Sequence, residues 1–390
     1  MPKLDFLEQE IRKIKENGLY VPIKSLQSAQ GAWVTIEGAK FLNLCSNNYL
    51  GLANDPKLRE KVRQTLNEFG VGAGGARTIC GTMSLHRELE QKIAHFKRRE
   101  SALVFCSGVH ANVGIIPLIA GEGDVILTDE LNHGSIIDGC RLSQAKKVIF
   151  PHKDMKALHN ALKMNKNTRR RLIVTDGVFS MDGDIAPLNE IVELGEKYDA
   201  IVMVDDAHGE GVLGDHGRGI ADHFGLHDRV DIEMGTFSKA FGVVGGFICG
   251  SALLVEYLSQ TARTFLLATA SSAIDIAACI AAVEIVEKSD NLVRKLWENT
   301  RYFKDRMRDL DFDVGASETP IIPIILRDTK IAQEFEKRLF EEKVLTRAIT
   351  YPTVPKDQAR LRVIISAAHR REDLDFVLGK FKKLGMRRSY

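Results

Sequence analysis

Residues 171–208 decide the fold: "RLIVTDGV" (171–178), "LNEIVELGEKY" (188–198) and "AIVMVDDAH" (200–208). Two apolar runs flank a segment of helical period, and each run ends in carboxylates. That is strand, helix, strand. The reading extends in both directions. Further short apolar runs are "SALVFCSG" (101–108), "DVILTDE" (124–130), "KKVIFPH" (146–152), "DIEMGTFS" (231–238) and "GGFICG" (245–250). Helical stretches such as "DMKALHNALKMN" (154–165) lie between most of them. The repetition predicts an α/β fold with a mostly parallel seven-stranded sheet covered on both faces. Too little chain separates the last two runs for a crossover helix, so they read as antiparallel neighbours or as a strand and an irregular edge.

The flanks differ. Residues 3–17 place Leu4, Leu7, Ile11 and Ile14 at helical spacing, and "AWVTIEGAKFLNLC" (32–45) alternates about a glycine turn as a hairpin does. After residue 251 the chain turns helical, with the longest helix expected over about 270–309. Residues 310–390 then read as a small α+β unit. The expected organisation is an N-terminal segment (1–54), a large domain (55–285) and a C-terminal small domain (286–390).

Composition excludes little but is consistent. The 390 residues carry 54 basic and 52 acidic side chains, a net charge of +2. That balance gives no reason to expect nucleic acid or an anionic membrane as a partner. No apolar stretch reaches the length of a membrane helix, and the charged N-terminus does not resemble a signal peptide. Six cysteines without a CxxC pair point to reduced thiols in a cytoplasmic protein, with no zinc or other metal site.

In a doubly wound sheet, ligands bind beyond the carboxyl ends of the strands. Here those ends carry "CSGVHAN", "ELNHGS", "DGVFSMDGD", "DDAHGEG" and "TFSKAFG". Five strand ends with small, polar or titratable residues are hard to attribute to core packing. Ser107 and Gly108 open a helix, where free N–H groups bind anions, although alone they read as an ordinary N-cap. No GxGxxG follows a first strand and there is no GxxxxGK[ST], so dinucleotide and P-loop readings lack their main support. Asp205 can accept from a protonated ring nitrogen, and His208 can hold a nearby oxygen. Lys239, at a dry strand end, can act as nucleophile or base. Thr236 and Ser238 suit a phosphate, and His133 offers a flat ring. An amine, a carboxylate and phosphate-binding hydroxyls together describe a pyridoxal 5′-phosphate (PLP) site.

Seven stretches, in order, resemble the α-oxoamine synthases: "CSNNYLGLA" (45–53), "GVGAGGARTICGT" (70–82), "LNHGSIIDG" (131–139), "TDGVFSMDGD" (175–184), "VDDAHGEGVLG" (204–214), "GTFSKAFG" (235–242) and "ARLRVIISAAH" (359–369). The resemblance implies a fold-type I PLP-dependent transferase acting as a homodimer, with active sites at the subunit interface and an amino acid and an acyl-CoA as substrates. It makes Lys239 the Schiff-base lysine, Asp205 the partner of the pyridine nitrogen, His208 a contact of the ring hydroxyl and His133 the stacking residue. Ser180 matches a residue near the ring oxygen. Gly108, Val109 and Thr236 match the phosphate site, while Asn47 and Arg362 match groups that hold the amino acid, Arg362 on its carboxylate. The family often has an aromatic residue at Val109. It also has a serine-rich stretch at "LLATASS" (266–272), where the resemblance makes Thr269 the best remaining hydroxyl toward the partner subunit's phosphate.

Within the family, "TYPTVP" (350–355) and "LQSAQGAW" (26–33) favour condensation of glycine with acetyl-CoA to 2-amino-3-ketobutyrate, the glycine C-acetyltransferase reaction. The alternative is 8-amino-7-oxononanoate synthesis from alanine and a pimeloyl thioester, or both activities in one enzyme. An aminotransferase of the same fold and a non-catalytic homologue are the rivals from outside the branch.

Overall fold

The computed structural model describes residues 3–385. Helix Phe6–Glu16 precedes a hairpin of β1 (Trp33–Ile36) and β2 (Ala39–Asn43). The central sheet follows: β3 (Ser101–Phe105), β4 (Val125–Asp129), β5 (Lys146–Phe150), β6 (Arg171–Asp176), β7 (Ile201–Asp205), β8 (Ile232–Thr236) and β9 (Gly246–Gly250). These are the seven expected runs. Their spatial order is β3-β9-β8-β7-β6-β4-β5. Neighbours from β8 to β5 pair in parallel, and β9 runs antiparallel to both β8 and β3.

Alternation along each strand feeds two separate cores. Ala102 and Val104 pack on one face with Val125, Leu127, Val202 and Val204. Leu103 and Phe105 pack on the other with Ile126, Leu172, Val174 and Met203. Burial on both faces explains why the runs read as continuously apolar, and each buried Leu, Ile or Val contributes ~1.5–3 kcal/mol. Only the edge strand β5 keeps a largely exposed pattern.

One helix differs from expectation. The segment over 270–309 is two helices, Ala273–Lys288 and Asp290–Asp309, broken at Ser289. Ser289 sits at φ −125°, ψ 90°, outside the helical region. The polar run Ser289-Asp290-Asn291 has low helix propensity and marks the break. The boundary expected at 285/286 therefore lies in the last turn of the first of these helices.

The C-terminal unit contains β10 (Ile321–Arg327), β11 (Val344–Leu345), β12 (Arg347–Ile349) and β13 (Ala359–Ile364). Strands β10, β13 and β12 form an antiparallel sheet in that order. Strand β11 pairs in parallel with β2, and Leu42 and Leu44 share a core with Ile322, Ile324 and Leu361. The N-terminal hairpin thus extends the small unit. The arrangement brings Asn47, just beyond β2, beside Arg362 of β13.

Candidate active site

Six of the seven central strands point the same way, so the residues after β3, β4, β6, β7 and β8 gather at one edge of the sheet. They surround a cavity of about 610 Å³ lined by, among others, Gly108, His133, Ser180, Asp205, His208 and Lys239. Val109, Thr236 and Ser238 also face it. Each of these positions was marked by its place after an apolar run.

Lys239 stands three residues beyond β8. Burial lowers its ammonium to about 8, against the opposing pull of Asp205 and Asp176. Asp205, the last residue of β7, is buried. Its Oδ2 accepts from Asn112 Nδ2 at 2.7 Å, and its Oδ1 accepts from the Ala207 amide at 3.1 Å. Asn112 Nδ2 also donates to Ser135 Oγ at 2.9 Å, and Ser135 Oγ lies 2.8 Å from His133 Nδ1. His133 Nδ1 also caps the Gly134–Leu142 helix by accepting from the Ser135 amide, so its free proton belongs on Nε2. Burial lowers the His133 imidazole, which keeps the ring neutral.

His208 is fixed in the same manner. Its Nδ1 lies 2.7 Å from the Tyr49 hydroxyl. Burial pushes the Tyr49 phenol up and the His208 imidazole well down. A buried hydroxyl needs an acceptor, so Tyr49 donates to Nδ1 and leaves a proton on Nε2 of His208. A second carboxylate, Asp176 at the end of β6, accepts from the His133 amide at 2.6 Å. Burial first, and then Asp205, push the Asp176 carboxyl well above the usual range.

The anion-binding end combines a helix N-terminus with hydroxyls. Ser107 caps helix Gly108–Ile119 by accepting from the His110 amide. A Cβ added at Gly108 would stand 3.0 Å from Met234 Cε, so the helix starts close against β8. Thr236 Oγ1 donates to the Gly245 carbonyl at 2.7 Å and lies 3.0 Å from Ser238 Oγ. Val109 is 51 % exposed.

Arg362 reaches the site from the small unit. Its Nε donates to the Ser180 carbonyl, and its Nη2 lies 3.4 Å from Asn47 Oδ1. Among the described residues no carboxylate pairs with it, and burial lowers its guanidinium. A half-buried, unpaired arginine is matched to a carboxylate from outside the chain. Thr269 is not brought to the cavity of its own chain. It is exposed, its backbone bridges to Ala76, and its carbonyl accepts from Cys106, which hold it in a neighbouring cleft. Residue-by-residue reading had missed Tyr49, Asn112, Ser135 and Asp176. All four lie inside quoted motifs, Asn112 as the last residue of "CSGVHAN", one helical turn in, where nothing local marks it out.

These residues fit PLP. They supply a cavity-facing amine, a buried carboxylate, two oriented imidazoles and a helix N-terminus beside a hydroxyl. The orphaned Asn112 Oδ1 shows that the amide's orientation is set by its two donor bonds.

The aminotransferase class I and II family profile matches residues 39–381. The chain is 58 % identical over 377 residues to the 8-amino-7-oxononanoate synthase of Thermosipho melanesiensis, covering 97 % of this chain and 96 % of that one. It is 56 % identical over 387 residues to that of Petrotoga mobilis, covering 98 % of each. A solved structure of SPT with PLP as an internal aldimine superposes with a TM-score of 0.93 at 30 % identity, covering 99 % of this chain and 98 % of that one.

These likenesses correct the expected acyl acceptor and donor. Relatives this similar are consistently 8-amino-7-oxononanoate synthases, so the glycine C-acetyltransferase reading is overturned in favour of its alternative. The misleading signal was "TYPTVP". Tyr351 is exposed at the rim of a cleft beside the cavity. The chain belongs to the aminotransferase class I and II family of PLP-dependent enzymes, within its α-oxoamine synthase branch.

Proposed function

We propose that the chain catalyses the decarboxylating condensation of alanine with a pimeloyl thioester, forming 8-amino-7-oxononanoate and releasing carbon dioxide and the thiol. The observation that carries this reading is the meeting of two cavities. His133 and Ser180 line both the cavity around Lys239 and a larger cleft of about 1540 Å³ bordered by Leu131, Ile137, Phe179 and Val354. An amino acid held at the first meets an acyl chain whose methylenes lie along the second. The near-full-length likeness to relatives of that name supports the choice of acyl group.

Bound PLP supplies an electron sink for charge developing at the amino acid's Cα. Lys239 would carry the cofactor through its amine and is placed to take the proton from the amino acid's Cα. Asp205 would hold a proton on the pyridine nitrogen. His208 would donate from Nε2 to the ring oxygen, with Ser180 nearby, and His133 would stack beside the ring. The Gly108 and Val109 amides would hold the phosphate, joined by the Thr236 hydroxyl once its proton turns from the Gly245 carbonyl. Arg362 and Asn47 would hold the amino acid carboxylate.

A homodimer completes the proposal. Leu7, Ile11 and Ile14 of helix Phe6–Glu16 and the neighbouring Ile23 are exposed, as is Ile79 at 81 %. A second copy covering such surface would also give Thr269 a place near the partner's phosphate. The test of function is purified holoenzyme with alanine and pimeloyl-CoA. Release of CoA with stoichiometric carbon dioxide supports the reading, and no release with any pimeloyl thioester overturns it.

A further inference from the structure

Behind the cofactor cavity lies a buried charge cluster that none of these roles uses. Lys97, following helix Ser84–Phe96, has a side chain only 1 % exposed. Its Nζ donates to Asp206 Oδ2 at 2.8 Å and to the Arg218 carbonyl at 2.7 Å. Glu233 Oε2 is 3.1 Å away and Glu210 Oε1 3.5 Å away. Arg99 Nη1 lies 3.4 Å from the other Glu233 oxygen. Three carboxylates thus face two cations in the core. An uncompensated charge there is costly, and burial pushes the Asp206 and Glu210 carboxyls up.

Glu210 is the member that touches the site. It lies two residues past His208, on the turn after β7. Its Oε2 accepts from the Thr236 amide at 3.0 Å, at the end of β8. Its Oε1 lies so close to the β8 backbone that a Cβ added at Gly235 would stand 1.9 Å away. That oxygen has no hydrogen-bond partner among the described residues and faces Lys97 Nζ at 3.5 Å. Burial, opposed by Lys97 and aided by Asp206, pushes the Glu210 carboxyl well above the usual range.

We propose that Glu210 is a positioning residue that ties the turn carrying Asp205 and His208 to the turn carrying Thr236 and Lys239. This carboxyl, with Lys97 behind it, then sets the spacing between the ring-nitrogen partner and the Schiff-base lysine. The residues that grip the ring and those that grip the phosphate move as one body.

The inference rests on Lys239 and Thr236 contacting PLP. Lys239→Ala tests that part separately, through loss of the visible absorbance of lysine-bound cofactor. For Glu210 the readouts are the PLP dissociation constant and the pH midpoint of that absorbance, measured on reconstituted enzyme. Glu210→Gln keeps the acceptor for the Thr236 amide, so its affinity stays within about twofold of the parent and its midpoint does not move. Glu210→Ala weakens PLP binding about tenfold and shifts the midpoint. A Gln variant as impaired as Ala, or an Ala variant matching the parent in both readouts, overturns the proposal. Should Glu210→Ala fail to fold, Glu210→Gln decides alone. A moved midpoint there would mean that Glu210 acts as a charge rather than as a tie.

Discussion

Asn112 Nδ2 and Asp205 Oδ2 lie 2.7 Å apart, joining the first turn of helix Gly108–Ile119 to the end of β7. The same amide reaches Ser135, and through it His133. The carboxylate assigned to the pyridine nitrogen and the imidazole assigned to the ring face are therefore held by one side chain, which touches neither the substrate nor the cofactor in the proposed roles.

Asn112→Leu keeps the volume and removes both donors. Hydrogen bonds to charged groups contribute ~1.5–3 kcal/mol. We expect PLP affinity to fall by about ten- to a hundredfold, measured by absorbance titration of the apoprotein. Ser135→Ala, which leaves the Asp205 bond intact, should have a smaller effect. Equal affinity in Asn112→Leu and the parent would remove Asn112 from the site.

Arg362 makes a second prediction. Its guanidinium has an acceptor in the Ser180 carbonyl but, among the described residues, no carboxylate partner. Arg362→Lys keeps charge yet loses the two-pronged geometry. The Michaelis constant for alanine should rise about a hundredfold, while PLP absorbance and the Michaelis constant for the thioester change little. A rise confined to the thioester would reassign Arg362 to the acyl substrate.

The parts of this site that were legible in the sequence share a physical origin. Strand ends in an α/β sheet are few, and each must be followed by residues that either turn the chain or face the ligand. Asp205, His208 and Lys239 could be read because the apolar run before each fixed its position. Asn112 could not, because its partners are 23 and 93 residues away and only the tertiary fold brings them together. The break at Ser289 was obscured by apolar periodicity on both sides. The acyl substrate was misread because its signal lay on an exposed turn, whereas the residues around Lys239 constrain the chemistry common to the branch.

His152 sets a pH dependence of stability. Its Nδ1 lies 3.0 Å from Asp129 Oδ1 and its Nε2 2.9 Å from Asp184 Oδ2, and these carboxylates outweigh burial and raise the imidazole to about 9. The folded value exceeds the ordinary 6.5, so the stabilisation is complete below about pH 6.5 and is lost as pH rises through 9. Thermal melts of the parent and His152→Gln should differ most at pH 6 and converge above pH 9. A gap independent of pH would show that packing against Phe179, not charge, is what His152 contributes.

Lys239 predicts the opposite sign. Its folded value of about 8 lies below the ordinary 10.5, so the apoprotein binds fewer protons than the unfolded chain between those limits. Holding the ammonium in the cavity opposes folding fully below pH 8, and this cost is relieved as pH climbs toward 10.5. Lys239→Met should melt higher than the parent apoprotein at pH 7, and the difference should shrink across that window. The same value governs cofactor capture, since only the neutral amine attacks an aldehyde. The rate of absorbance gain on mixing apoprotein with PLP should rise with pH to a half-maximum near 8 and then level off. A rate still climbing at pH 10, together with a melting difference that stays constant, would place an ordinary exposed lysine at position 239.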